Sequence, residues 1–72
     1  MSDPNKTLTI GTRLLLTEPN GGIAPVGVWL TVVGSGIWDG TEWWQLESDN
    51  TGESYWLRMD SEVFSTATYY GG

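Results

Sequence analysis

The chain has neither cysteine nor histidine, and this double absence narrows what 72 residues can become. A domain of this size buries only about 60% of the surface its unfolded chain exposes, so many such domains lean on disulfides or a bound metal. Disulfides and thiolate or imidazole ligands are excluded here. Aromatic mass is the remaining internal means of closing a core. The chain carries five Trp, three Tyr and one Phe, and each such ring covers roughly 150–250 Å² when interior. Some tryptophans are therefore structural, and the others are free to contact something else. Self-association stays open as a further source of stability.

Composition removes several function classes. No apolar run approaches the ~18–20 residues that cross a bilayer, so membrane insertion is not expected. The opening Met1-Ser2-Asp3-Pro4-Asn5 lacks the basic and apolar regions of an export signal, which points to the cytoplasm. Three Lys+Arg against nine Asp+Glu give a formal charge of −6. Lys6, Arg13 and Arg58 are too few to track a phosphate backbone, so direct nucleic-acid binding is not expected.

Residues 1–6 read as a polar N-terminal arm, and residues 7–70 as one β domain. Thr7–Thr17 alternates Thr with Leu8 and Ile10 and reads as a strand, with Gly11 as a bulge or bend. Glu18–Pro25 is a loop, with Asn20-Gly21 suited to a tight turn. Val26–Val33 is the strongest strand, with Val28, Leu30 and Val32 on one face and Trp29, Thr31 and Val33 on the other. Gly34-Ser35-Gly36 is expected to break it. Asp39-Gly40 is a two-residue hairpin signal. Trp43–Ser48 and Ser54–Met59 are further strands, joined by a turn at Asp49-Asn50-Thr51-Gly52. Trp44, Leu46 and Ser48 form the inward face of the first, with Trp43 as a competitor. In the second, Tyr55, Leu57 and Met59 lie opposite Trp56 and Arg58. Asp60-Ser61-Glu62 suits a single helical turn. Val63-Phe64 then returns to the core, and Ser65–Tyr70 is a last strand or ordered tail. Five short strands joined by Gly and Pro turns argue a small all-β barrel or sandwich.

From Leu30 to Phe64 the order of features resembles bacterial SH3-like domains. A Leu-Thr-Val-Val-Gly strand precedes Trp43-Trp44-Gln45-Leu46. A Gly-bearing turn leads to Ser54-Tyr55-Trp56-Leu57, and Asp60-Ser61-Glu62 precedes Val63-Phe64. Trp43 with Leu46, and Trp56 with Leu57, match the two aromatic-aliphatic pairs of that pattern; Tyr55 stands where the family usually has Gly. The resemblance implies a five-stranded SH3-like barrel with at most one short helical turn near residues 60–62. It does not specify a ligand.

No catalytic constellation emerges. Carboxylate pairs are plentiful, but so small a domain offers little cleft to enclose a sugar and raise one pKa, and no enzyme is expected. Asp49-Asn50-Thr51-Gly52-Glu53 lacks the spacing of an EF-hand loop and reads as an Asx-type turn, so neither a metal nor a cofactor is expected. Gly34-Ser35-Gly36 has no dinucleotide-binding continuation.

The remaining lead is aromatic and acidic. Trp38 sits beside a turn, and Trp29 and Trp43 fall on outward faces. Two of these three sharing one patch would form an apolar anchor. Seven carboxylates lie between Asp39 and Glu62, with Arg58 the lone base among them. Asp39, Glu42 and Glu47 would rim the anchor; Trp29 and Trp43 as a cross-strand pair that only stiffens the sheet is the competing reading. The site expectation is thus Trp29, Trp38 and Trp43 with Asp39, Glu42 and Glu47. The partner would be a protein with a basic or Pro/Arg-bearing surface. Such a module would regulate or inhibit a larger enzyme, in a cell or from a phage. A structural subunit of a virion or larger complex is the alternative, and carbohydrate or cell-wall binding the second.

Overall fold

The computed structural model describes residues 8–70, so the polar arm at 1–6 lies outside the described residues. The elements are β1 (Arg13–Leu15), β2 (Trp29–Trp38), β3 (Thr41–Ser48), β4 (Ser54–Arg58), α1 (Val63–Thr66) and β5 (Thr68–Tyr69). The strands form one sheet of order β4-β3-β2-β1-β5, antiparallel at every pairing.

The sheet is open, which corrects the expectation of a closed SH3-like barrel. β4 and β5 are its two outer strands, and no ladder joins them among the described residues. The physical reason lies in residues 63–69. β5 is only two residues long and pairs only with Leu14 and Leu15. The residues before it are wound into α1, so little extended backbone is left to close a ring. The resemblance to bacterial SH3-like domains is set aside with the closure it implied.

The helical turn also moves. It spans 63–66, not 60–62. Ser61 N–H donates to the Arg58 carbonyl at 3.0 Å, which makes 58–61 a tight turn instead. Ser61 Oγ then accepts from Val63 N–H at 3.5 Å. Val63 and Phe64 do enter the core, but from a helical turn.

All five strands differ in extent from the expectation, β1 and β2 most of all. β1 is shorter than Thr7–Thr17 because Thr12 folds back: its Oγ1 accepts from Thr9 N–H and its N–H donates to the Thr9 carbonyl, both at 3.1 Å. β2 runs through Gly34-Ser35-Gly36 instead of stopping there. A register shift between Val32 and Gly34 leaves Val33 bulged and exposed. A bulge bends a strand without ending it. The Asp39-Gly40 turn forms as expected, with φ of 51° and 73° at its two residues. This is the doubly left-handed backbone of the hairpin turn that matches strand twist.

One face of the sheet holds the core. Leu14, Leu30, Val32 and Leu46 are fully buried, with Leu57 nearly so, and Leu16 and Phe64 pack with them from outside the strands. Each fully buried side chain of this kind contributes roughly 1.5–3 kcal/mol. Trp44 and Tyr55 pack on the edge of this cluster, in line with Trp44 on the inward face. Tyr69 Oη donates to the Phe64 carbonyl at 2.6 Å, fastening β5 to α1.

Candidate functional site: an aromatic and acidic cleft

The register sets which side chains share the outer face. Trp43 pairs with Gly36 on one side and Arg58 on the other, and Gln45 pairs with Trp56. Trp43, Trp56 and Arg58 therefore project to the same side, away from Leu46 and Leu57. Trp38 lies two residues beyond Gly36 on that same face. Its ring meets Trp56 edge-on, with centroids 4.7 Å apart and planes at 87°. It also meets Trp43, at 6.2 Å and 68°. Trp38 remains half exposed, at 51%.

Beside this cluster runs a cleft of about 790 Å³. One wall is β4, through Trp56, Leu57 and Arg58, with Trp43 behind it. The opposite walls are the loop residues Glu18, Pro19, Asn20 and Ile23, and the segment from Asp60 through α1. Two bonds build these walls. Thr17 Oγ1 donates to the Thr66 carbonyl at 2.9 Å, tying the loop to α1. Ala24 N–H donates to Asn20 Oδ1 at 2.9 Å, holding the loop's own turn.

The cleft is acidic. Glu18, Asp60 and Glu62 line it against one cation, Arg58, and Arg58 is engaged by Asp60 at 3.0 Å. Two enclosed donors in its lining residues, Trp43 Nε1 and Asn20 Nδ2, have no acceptor among the described residues. A buried donor left unpaired costs stability, and neither atom is open to the cleft.

Trp29 belongs elsewhere. Its ring meets Tyr70 edge-on at 5.7 Å. The Arg13 guanidinium lies 5.8 Å from the Trp29 ring and 4.8 Å from that of Tyr70. Arg13 Nε also donates to Asp49 Oδ2 at 3.1 Å, and Thr31 Oγ1 to Asp49 Oδ1 at 3.0 Å. These hydrogen bonds, first from Arg13 and then from Thr31, hold the Asp49 carboxyl below its ordinary value. The cluster fastens Tyr70 to β1 and β2. On β4, burial raises the Tyr55 phenol above its ordinary value, and the carboxylate of Glu53 adds to the rise.

Of the expected site residues, the fold brings Trp38 and Trp43 together and leaves Trp29 apart. Trp29 and Trp43 are not a cross-strand pair, since Trp29 stands opposite Leu15. Asp39 is a turn residue. Glu42 stands opposite Ile37, on the face away from Trp43, and Glu47 stands between Thr31 and Ser54, none of which lines the cleft. The cleft's acidic rim is made of Glu18, Asp60 and Glu62, and its second ring is Trp56. The outward phase of Trp56 was readable from its alternation with Leu57. Glu18 and Glu62 line one cleft across the Thr17–Thr66 tie, and no local pattern announces it.

Among the described residues no helix is long and apolar enough to cross a membrane, and no cluster of metal-ligating side chains forms. No protein-family model, curated protein or solved structure matches this chain.

Proposed function

We propose that this chain is a non-enzymatic binding module whose cleft docks a positively charged segment of a partner protein. The observation that carries the reading is the coincidence of two indole rings, Trp43 and Trp56, with three carboxylates around one 790 Å³ cleft. Guanidinium and ammonium groups favour this combination, because a ring face attracts a cation and a carboxylate bonds it. Acting by occupancy, the module would regulate or inhibit the protein it holds. We place it in the cytoplasm, where a domain without cysteines forgoes no disulfide.

Calorimetric titration with a blocked peptide of alternating Arg and Val tests this. Saturable binding is expected, weakening as salt rises and weakening further in the Glu18→Gln/Glu62→Gln double variant. No heat of binding at low salt, or affinity unchanged in the double variant, would overturn it.

A further inference from the structure

We propose that the docked segment adds to the sheet as a sixth strand, pairing with the free edge of β4 inside the cleft. The inference rests on the cationic-segment reading and adds its geometry. Two hydrogen bonds fix the phase of the β3–β4 ladder. Met59 N–H donates to the Glu42 carbonyl at 3.0 Å, and Ser48 N–H to the Glu53 carbonyl at 2.8 Å. Antiparallel pairs alternate between bonded and non-bonded, so Tyr55 and Leu57 spend their backbone groups on β3. Ser54, Trp56 and Arg58 turn theirs away from it. The Arg58 carbonyl is taken by Ser61 N–H at 3.0 Å. The Trp56 N–H and carbonyl, and the Arg58 N–H, have no partner among the described residues. Trp56 and Arg58 are cleft-lining residues, so the unpaired groups belong to the wall a ligand would touch.

A row of unpaired amides is a template for another strand. Edges are commonly guarded by proline or charged side chains; β4, Ser-Tyr-Trp-Leu-Arg, has no proline and a single charge, Arg58 at its end, which Asp60 pairs. The side chains of an added strand alternate between two surroundings. One set shares the face of Trp56, Trp43 and Arg58, where Asp60 already pairs the Arg58 charge, and suits cations that the indole rings and the remaining carboxylates hold. The other shares the side of Leu57 and Val63 and suits aliphatic groups. The occupant is thus a partner segment that alternates basic and apolar residues. A second copy of this chain is disfavoured, because each copy carries a formal charge of −6.

The test compares the alternating Arg-Val peptide with two N-methylated forms, each blocking one alternate set of its amides. An added strand offers only one set to β4. One form should lose affinity at least about tenfold, the effect of two lost hydrogen bonds, and the other should keep it. Amide exchange at Trp56 should slow in the complex. Equal affinity of the two forms, or unchanged Trp56 exchange, overturns strand addition and leaves the cationic-segment reading standing. No binding by the unmethylated peptide overturns both. A stable dimer in sedimentation without peptide, with Trp56 already protected, would assign the β4 edge to a second copy and overturn the proposal.

Discussion

Trp38 folds back over Gly36, so closely that a Cβ at Gly36 would lie 2.9 Å from the ring's Cη2. This contact explains a strand that the local sequence argues against. Gly34 and Gly36 weaken β propensity, yet β2 passes through both. The missing side chain at Gly36 lets an indole lie across the sheet and reach Trp56 on β4, two strands away.

Gly36→Ala should therefore displace the Trp38 ring. The ring's far end can swing, so the cost falls on the aromatic contact and not on the fold as a whole. A loss of about 0.5–1.5 kcal/mol is expected. The near-UV circular dichroism of the coupled indoles should fall with it. An unchanged near-UV spectrum would show that the Trp38–Trp56 contact does not depend on this glycine.

Phe64 is fully buried, and it enters the core from a four-residue helical turn. Phe64→Ala should cost about 3–5 kcal/mol, a large share of the ~5–15 kcal/mol that holds a natural domain. Phe64→Leu should cost less than about 1.5 kcal/mol. Urea denaturation of both variants checks the ranking. Equal midpoints for Ala and Leu would mean that the open side of the sheet is closed by something other than this ring.

Asp49 supplies a pH-dependent part of stability. Its carboxyl is held below the ordinary 3.8 by Arg13 and Thr31. The folded state thus releases this proton more readily than the unfolded one. The contribution is present above 3.8 and is lost as pH falls through the lower folded value. Denaturation midpoints followed downward from pH ~5 should decline more steeply in the native chain than in Asp49→Asn. Parallel profiles would remove Asp49 from the account.

The Asp39 backbone is left-handed, at φ 51°. Asn tolerates that conformation as well as Asp does, and a β-branched residue does not. Asp39→Asn should leave the melting temperature nearly unchanged, while Asp39→Val should cost on the order of 1–2 kcal/mol. Affinity for the cationic peptide should be the same in Asp39→Asn as in the native chain. A drop there would return Asp39 to the charged rim.

Much of the sheet was legible because it rests on short-range signals. The Asp39-Gly40 turn, the alternation of Trp44 and Leu46 with Trp43 and Gln45, and the phase of Tyr55 and Leu57 all follow from adjacent residues. The misreadings have long-range causes. The Gly34-Ser35-Gly36 stretch looks like a break until Trp38 is seen to need the space. The helical turn falls at 63–66 because Ser61 bonds back to Arg58. Closure was misjudged because strand count alone does not say whether β4 and β5 meet. At the site, Trp38 and Trp43 were within reach as neighbours across one hairpin. Glu18 and Glu62 were not, because they are joined through a loop and a helical turn far apart in sequence.

The most direct test follows the five indole N–H resonances by two-dimensional nitrogen–proton NMR during titration with the Arg-Val peptide. Trp43 and Trp56, which line the cleft, should shift together and saturate. Trp29, packed with Arg13 and Tyr70, should not move. Shifts confined to Trp29, or none at saturating peptide, would contradict the claim that the cleft beside β4 is the docking surface.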